Sequence, residues 1–138
     1  MITIRKARDA DKPQVIRILK DTDIYYSALK FEDFWVAEEE GEILGCAQLE
    51  EYPAFYYLGS LGVAVEHEGK GIARMLLNPL LKRLKKDTYI YTIIPEFFKK
   101  FDFVVAPPLP DLPSKDRYEC ADCHPERCVT MVRHAKKG

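Results

Sequence analysis

Apolar and polar residues change their period several times along the first half of the chain, and each change predicts a new element. Residues 2–5 alternate apolar and polar side chains, which is typical of a short strand. Helical spacing follows, with Pro13 placed in the first turn. Residues 21–30 are ambiguous and are compatible with a second short helix. Residues 34–38 and 43–49 predict two strands joined by a Gly-containing turn, which is a hairpin.

The second half continues with alternating strand and helix patterns. Residues 56–65 predict a strand, and residues 71–85 predict an amphipathic helix that Pro79 should kink. The pattern further predicts a strand at 88–94, a short helix at 95–100 and strands at 103–106 and 128–133. This order predicts an α/β fold with a mixed central sheet flanked by helices. We expect one domain over residues 1–138, with a core at 1–106 and a Pro/Cys-rich tail at 107–138 that ends in a last strand.

Composition narrows the functional classes. Hydrophobic residues make up 47% of the 138 residues and charged residues 31%, which is ordinary for a globular domain. The net charge of -1 gives no reason to expect a nucleic-acid partner. No apolar run is long enough for a bilayer, and the charged N-terminal segment lacks a signal-peptide core. We therefore expect no membrane partner and a cytoplasmic location, where cysteines are reduced.

The stretch GSLGVAVEHEGKGIARMLL at residues 59–77 combines a strand, a small-residue loop and the start of a helix. The first turn of a helix has unpartnered amides and a positive dipole end, so this arrangement predicts an anion cradle. Gly69 and Gly71 allow close approach of a phosphate, and Lys70 adds charge. The spacing fits neither a P-loop nor the dinucleotide fingerprint. An ordinary strand-to-helix turn is the alternative.

This loop resembles the acyl-CoA pyrophosphate loop of the GNAT family of N-acetyltransferases, Gln/Arg-x-x-Gly-x-Gly/Ala. Gly71 and Ala73 match the pattern, while Glu68 stands where the family has Gln or Arg. Further similarity lies at residues 4–11, 41–45 and 98–103. The resemblance implies a GNAT-like fold and transfer of an acetyl group from acetyl-CoA to an amine. The positions it implies for cofactor binding are Leu61, Gly62, Val63, Glu68, Gly69, Lys70, Gly71, Ile72, Ala73, Arg74 and Phe98.

Two positions depart from the family in the residues that handle protons. Where the family often has a Glu base on the strand before the cradle, this chain has Tyr57, and Phe98 replaces the usual Tyr acid. The candidates for the base are therefore Tyr57 itself, or Glu50 or Glu51 acting through water. Gly62 is expected to permit a bulge in the strand, where backbone groups would hold the pantetheine arm. Plain strand packing is the alternative for residues 61–63.

Cys120, Cys123 and Cys128 form a cluster in the tail. The Cys-x2-Cys spacing suits structural zinc, with a fourth ligand from His124, His134, Cys46 or water. A Cys120–Cys123 disulfide and a set of unliganded thiols are the alternatives.

The tail, together with residues 97–101 and the segment Leu-Pro-x-Lys at 112–115, resembles the N-acetylglutamate synthase-like branch of the family. This implies a small-molecule amine acceptor, such as the α-amine of glutamate, which would need cationic anchors. The candidate anchors are Arg5, Lys6, Lys115 and Arg117. A protein N-terminal or lysine acetyltransferase and a non-catalytic acyl-CoA sensor are the alternatives, and a homodimer is an open prediction.

Overall fold

A mixed β-sheet organises the protein, in a computed structural model that describes residues 1–27, 29–113 and 128–135. The strands are β1 (Thr3–Lys6), β2 (Phe34–Glu39), β3 (Glu42–Glu51), β4 (Phe55–Val63), β5 (Asp87–Thr92), β6 (Val104–Val105) and β7 (Val129–Arg133). The helices are α1 (Lys12–Asp21), α2 (Ile72–Lys82) and α3 (Pro95–Lys99). This arrangement of strands and flanking helices confirms the α/β fold class.

The described strands follow the order β1-β2-β3-β4-β5-β7-β6 across the sheet. All neighbouring pairs are antiparallel except β4 and β5, which are parallel. Strand β7 lies between β5 and β6, and its Met131 and Val132 are 0% and 2% exposed. The sheet is therefore not complete at residue 106, because a strand from the tail forms part of its interior.

The two faces of the sheet carry separate hydrophobic clusters. On the α2 face, Leu76 and Leu80 of the helix pack with Leu58, Ile90 and Met131 of the sheet. The α1 face is built by side chains of α1 against β2 and β3, namely Val15, Ile18, Leu19, Phe34, Val36, Ile43 and Cys46. Each strand therefore presents alternate residues to two different environments, as the period of two requires.

Helix α2 is shorter than the predicted 71–85, and α3 ends one residue before the end of the predicted 95–100. Helix α1 has 10 residues, and Asp23 just after it takes φ of 60°, so a right-handed helix does not continue there. The described part of residues 21–30 forms no second helix. Helix α2 has 11 residues and includes Pro79. Among the described residues, no helix has the length and apolar character needed to cross a membrane.

An ion pair fastens β1 to the start of α1. The Arg5 guanidinium donates to both oxygens of Asp11, at 2.7 and 3.1 Å, and Nε lies 3.4 Å from Glu38 on β2. The Arg5 and Asp11 side chains are 16% and 10% exposed, so water screens the pair poorly. Hydrogen bonding from Arg5 holds the pKa of Asp11 below its ordinary value. A carboxylate that is stabilised in the folded state makes stability depend on pH.

We predict that Asp11→Asn lowers the free energy of unfolding by about 2 kcal/mol at neutral pH, because a charged hydrogen-bond acceptor is lost. Since the folded pKa of Asp11 is lowered, its contribution is complete above about pH 4 and disappears as the pH falls through the unfolded and then the folded pKa. Chemical denaturation at a series of pH values checks this.

Asp9→Asn is the matched control, because Asp9 is an exposed carboxylate in the same turn. The difference between the two variants should shrink in acid. A difference that stays constant from neutral to acidic pH contradicts the assignment.

Candidate active site

A glycine-bearing loop leads from β4 into α2. After a short 3₁₀ turn at Val65–His67, Gly69 and Gly71 take φ of +80° and +76°, a region that side chains other than glycine rarely adopt. A Cβ on Gly69 would meet nothing within 4 Å, and one on Gly71 would meet only the Met75 Cε at 4.0 Å. The backbone of this loop therefore borders open space, as the predicted cradle requires.

The backbone amides of residues 69–74, at the start of α2, have no backbone hydrogen-bond acceptor among the described residues. None of them donates a backbone hydrogen bond to another described residue, and the first such bond of α2 runs from the Met75 amide to the Gly71 carbonyl at 3.1 Å. A row of free amides at the positive end of a helix dipole suits an anion such as a phosphate. The backbone amides of residues 69–74 thus form a compact group of hydrogen-bond donors, at the position where the glycine spacing predicts the cradle.

The side chains around the cradle divide into anchoring and exposed groups. Ile72 is 3% exposed and packs where a Cβ on Gly45 would lie, at 3.0 Å, so its side chain holds the helix start against the sheet. Ala73 is half-buried. Glu68, Lys70 and Arg74 are exposed. Ile72 can therefore offer a ligand its backbone but not its buried side chain, whereas the side chains of Glu68, Lys70 and Arg74 are accessible.

A chain of hydrogen-bonding and charged side chains surrounds the acidic residues near the cradle. The His67 Nε2 lies 2.8 Å from Glu42, and the Lys70 Nζ lies 3.2 Å from the His67 Nδ1. Arg17 pairs with Glu66 at 3.1 Å. Two carboxylates of the loop region are therefore paired, which limits their repulsion of an approaching anion.

Strands β4 and β5 separate beside the cradle. They pair in parallel only from Phe55 to Tyr57, although β4 continues to Val63 and β5 to Thr92. On its other edge β5 pairs with β7 from Thr88 to Thr92, so β7 does not fill the space beside β4. The separation leaves a gap between two neighbouring strands, and one edge of this gap leads toward the cradle.

A bulge in β4 accompanies the separation. Gln48 of β3 pairs with Gly59 and Cys46 pairs with Gly62, so Ser60 and Leu61 together lie opposite one residue. Ser60 takes φ of 51°. The prediction that Gly62 permits the bulge is therefore wrong, since the strained residue is Ser60.

Glycine is needed at position 62 for a different reason. A Cβ there would lie 3.0 Å from the Ile18 Cγ2 and 3.3 Å from the Ile24 Cδ1. The close approach of α1 and the following segment leaves no room for a side chain.

Alternate backbone groups of β4 face the gap. The Ala64 amide donates to the Leu44 carbonyl at 2.8 Å, so Ala64 points toward β3. Because successive residues of an antiparallel strand alternate in direction, Val63 points away from β3, and Gly62 points toward it. Leu61 lies on the same side as Val63, at the bulge. Of the three strand positions predicted for the pantetheine arm, Leu61 and Val63 thus present backbone groups to the gap.

Phe98 lies in the hydrophobic core of the α2 face. It is 7% exposed, and its ring makes edge contacts with Phe97 and Phe103 at centroid distances of 5.1 and 5.7 Å. These contacts show a packing function for the residue that stands where the family has a Tyr acid.

The three candidates for the base occupy different surroundings. Glu50 and Tyr57 are paired across β3 and β4, so both face the same side of the sheet. Glu50 is half-buried and accepts from the Tyr52 hydroxyl at 3.1 Å, while Tyr57 is 2% exposed and packs against Tyr91. Glu51 is exposed and faces the other side, where Lys86 donates to it at 2.8 Å and lowers its pKa.

Acidic groups gather near Glu50. Asp33 precedes β2, and its pKa is raised first by burial and then by the charge of Glu50. Mutual repulsion of two carboxylates favours a cation or a proton between them. Glu50 and Asp33 thus offer negative charge to a cationic group at this end of the α1 face, and Lys30 and Lys6 act on Asp33 in the opposite direction.

Sequence analysis missed a buried polar cluster on the same face. Gln48 is 1% exposed, Tyr26 is 1% exposed, and the Tyr26 hydroxyl donates to the Gln48 Oε1 at 2.8 Å. The Ser60 hydroxyl lies 3.3 Å from the same oxygen. An amide in an otherwise apolar strand was the available signal, because a buried polar side chain needs partners.

The predicted metal ligands are only partly described. Cys120 and Cys123 lie outside the described residues, and Cys128 is half-buried just before β7. Burial raises the pKa of Cys46 to about 12, which opposes the thiolate that zinc needs. The His134 Nδ1 lies 3.0 Å from Asp87. The zinc site therefore stays a prediction.

The anchors predicted for an acidic substrate are also only partly described. Arg5 is held by Asp11, and the Lys6 ammonium donates to the Glu32 carbonyl at 3.0 Å. Lys115 and Arg117 lie outside the described residues. The described cations of this set are therefore engaged in structural contacts.

A family model described as the acetyltransferase (GNAT) family matches residues 3–103. The chain belongs to the GNAT family. This match covers the strands that separate, the cradle and α3, and it confirms the resemblance found in the motifs. Acetyl-CoA is accordingly the expected cosubstrate, and the free amides and the strand gap fit its pyrophosphate and its extended arm.

Solved structures show the same fold in proteins with little sequence identity. N-acetylglutamate synthase from Neisseria gonorrhoeae, complexed with coenzyme A and L-arginine, superposes with a TM-score of 0.76 at 18% identity. The match covers 99% of this chain and 34% of the synthase chain, so this chain spans about a third of that protein.

Two shorter relatives match along nearly their whole length. Rv2747 from Mycobacterium tuberculosis, in complex with CoA and NLQ, has a TM-score of 0.73 at 17% identity over 97% of this chain and 99% of that one. The ribosomal-protein-S18-alanine N-acetyltransferase from Escherichia coli has a TM-score of 0.71 at 15% identity, over 100% and 96%. Acceptors as different as these names imply share one fold, so the fold does not identify the acceptor.

We predict that Gly71→Ala weakens acetyl-CoA binding about ten-fold or more, because a methyl group would keep a phosphate from the amides of the cradle. Isothermal titration calorimetry measures the change. Gly41→Ala is the matched control, since Gly41 has φ of +84° and open space around it, but lies in the β2–β3 turn.

Both substitutions place alanine in the left-handed region and should cost similar folding stability. Equal acetyl-CoA affinities in the two variants contradict the cradle.

Proposed function

We propose that this protein is an acetyl-CoA-dependent N-acetyltransferase that acts on the primary amine of a small molecule, with the α-amine of an amino acid as the leading class. The observation that carries the proposal is the row of free amides at residues 69–74, which stands beside the gap between β4 and β5. Family membership supports the reaction type. The acceptor class rests on the site geometry and on the relatives.

In this proposal the cradle binds the pyrophosphate of acetyl-CoA. The amides of residues 69–74 donate to the phosphate oxygens, and exposed Lys70 and Arg74 add positive charge. The pantetheine arm lies in the gap. There it takes the place of β5 and forms hydrogen bonds with the backbone of Leu61 and Val63. A free strand edge offers both donors and acceptors to an amide-containing chain, as in strand addition.

Glu50 is proposed to act as the base, through a water molecule. A primary amine is protonated at neutral pH, so one proton must leave before the nitrogen lone pair can attack. The nitrogen then attacks the thioester carbonyl carbon, so that an N–C bond forms and the C–S bond breaks. The acylated nitrogen gives up its second proton to solvent, and coenzyme A leaves as a thiolate. Because a thiol pKa is about 8.5, this leaving group departs without an acid, which agrees with the apolar Phe98 at the family's Tyr position.

The geometry favours Glu50 over Glu51. Glu51 faces the opposite side of the sheet and is paired with Lys86, which lowers its pKa and makes it a weaker base. Glu50 faces the side that Tyr57 and Asp33 share. The acidic surroundings would attract the ammonium form of an acceptor and keep it near the group that removes its proton.

Acetyl transfer is tested by thiol release from acetyl-CoA with a panel of amines. The panel contains L-glutamate, neutral amino acids, polyamines and peptides with free N-termini or lysines. We expect turnover with at least one small amine and little with peptides. Turnover restricted to peptides favours a protein acetyltransferase, and tight acetyl-CoA binding without thiol release favours a non-catalytic acyl-CoA sensor.

We predict that Glu50→Gln lowers kcat by about a hundred-fold, which is a typical contribution of a general base. The affinity for acetyl-CoA should stay unchanged, because the cradle is on another part of the sheet. Glu51→Gln is the matched control and should keep nearly the parent rate.

Rates of both variants are measured across pH. The rate of the Glu50 variant should stay below the rates of the parent and the Glu51 variant at every pH measured. Similar rates for the parent and the Glu50 variant contradict the assignment.

A further inference from the structure

Gln48 carries a buried amide that is only half satisfied. Its side chain is 1% exposed, its Oε1 meets the hydroxyls of Tyr26 and Ser60, and its Nε2 has no hydrogen-bond partner among the described residues. A buried amide group without a partner costs about 1–3 kcal/mol of stability. A buried polar group that costs this much stability indicates a hydrogen-bond partner on a transiently bound ligand.

One end of the amide lacks a partner whichever way the amide is turned. Both neighbours are hydroxyls, and a hydroxyl can donate to an oxygen or accept from a nitrogen. Turning the amide would place Nε2 against the two hydroxyls and leave Oε1 without a partner. In the observed orientation two hydroxyls meet Oε1, so the free end is a donor that requires an acceptor atom.

The position of Gln48 connects this donor to the proposed site. It pairs with Gly59, next to the bulge at Ser60 that marks the gap between β4 and β5. It lies two residues from Glu50 on the same strand, so both side chains face the α1 side at a spacing of about 7 Å. An uncharged donor and a carboxylate are thus placed side by side.

We propose that Gln48 binds the carboxylate of an α-amino acid acceptor through Nε2, while Glu50 faces its amino group. The inference rests on the proposed function and names the part of the acceptor that is recognised. An α-amino acid is a zwitterion with an ammonium and a carboxylate on the same carbon. The ammonium matches the carboxylate of Glu50, and the carboxylate matches the N–H groups of Gln48.

Tyr26 and Ser60 act as positioning residues in this proposal. By occupying both lone pairs of the Gln48 Oε1, they fix the plane of the amide and direct its N–H groups away. Tyr26 belongs to the segment between α1 and β2, and its described residues have no helix or strand before the short turn at Phe31–Asp33. Because the Gln48 side chain is 1% exposed, binding in this proposal requires an opening on the Nε2 side while the Tyr26 hydroxyl stays on Oε1.

The test compares acceptors that differ only by the α-carboxylate. The pairs are L-leucine with isoamylamine, and L-glutamate with γ-aminobutyrate. Gln48→Met removes the donor at similar volume, and Gln48→Glu replaces it with a negative oxygen. Gln14→Glu is the control, because the Gln14 amide is fully engaged with Gly41 and Ile43 at the far side of α1.

We expect Gln48→Met to raise KM about ten-fold for the amino acid that turns over and to leave KM for acetyl-CoA unchanged. Gln48→Glu should raise it further, because two carboxylates repel. KM for the amine without the carboxylate should change little in Gln48→Met. Equal changes for both members of a pair overturn the proposal.

A second readout does not need turnover. The side-chain amide signal of Gln48 in NMR spectra is identified by its loss in Gln48→Met. Adding L-leucine or L-glutamate with coenzyme A should shift this signal, and the matched amine should not. If no amine releases thiol but the signal still shifts, acetyl transfer is wrong while the binding role of Gln48 stands. A signal unmoved by every probe overturns the role.

Discussion

The separation of β4 from β5 is the constraint on which the rest of the site depends. Two neighbouring parallel strands normally satisfy each other's backbone groups along their whole length, and here they do so only from Phe55 to Tyr57. The remaining length of β4 keeps donors and acceptors for something other than protein. The bulge at Ser60 turns the strand at this point, and α2 then brings its own free amides to the end of the same gap. Separate strands, bulge and helix start thus form one continuous surface of unused backbone groups.

Such a surface is unstable by itself, and the fold supports it from both sides. Ile72 fixes the helix start against Gly45, while Gly62 lets α1 approach the opposite face closely. The left-handed backbone at Ser60, Gly69 and Gly71 is held in place by these packed layers. Backbone groups serve binding well because they are rigid, whereas long side chains lose freedom when they bind. In the proposed function, side chains on the α1 face are left to select the acceptor.

Most of the fold could be predicted from the sequence, because period and turn chemistry are local properties. The hairpin, the cradle glycines and the helix after them follow from residues that are close along the chain. The bulge was assigned to Gly62 when Ser60 carries it, since glycine signals both conformational freedom and close packing, and only the position of α1 distinguishes them. The sequence suggested Glu50 and Glu51 equally. The register of β3 against β4 separates them, and register is a long-range property.

The buried amide cluster could not be predicted for the same reason. Tyr26, Gln48 and Ser60 come from three separate segments, and no local pattern links them. What the sequence did contain was one polar residue, Gln48, inside the apolar run at residues 43–49. Such an inconsistency with the local pattern is often a better guide to function than agreement with it.

The place of β7 in the sheet has a consequence for folding. Strand β5 forms one wall of the gap. On the edge that faces away from the gap, β5 pairs with β7, which is made last among the described strands. Until β7 arrives, β5 is attached by its short pairing with β4 alone and exposes the other edge. During synthesis the cradle and hairpin can therefore form early, while the cleft closes late through a contact of long sequence separation. The emerging chain would thus have the loop at residues 69–74 in place before both walls of the gap between β4 and β5 are fixed.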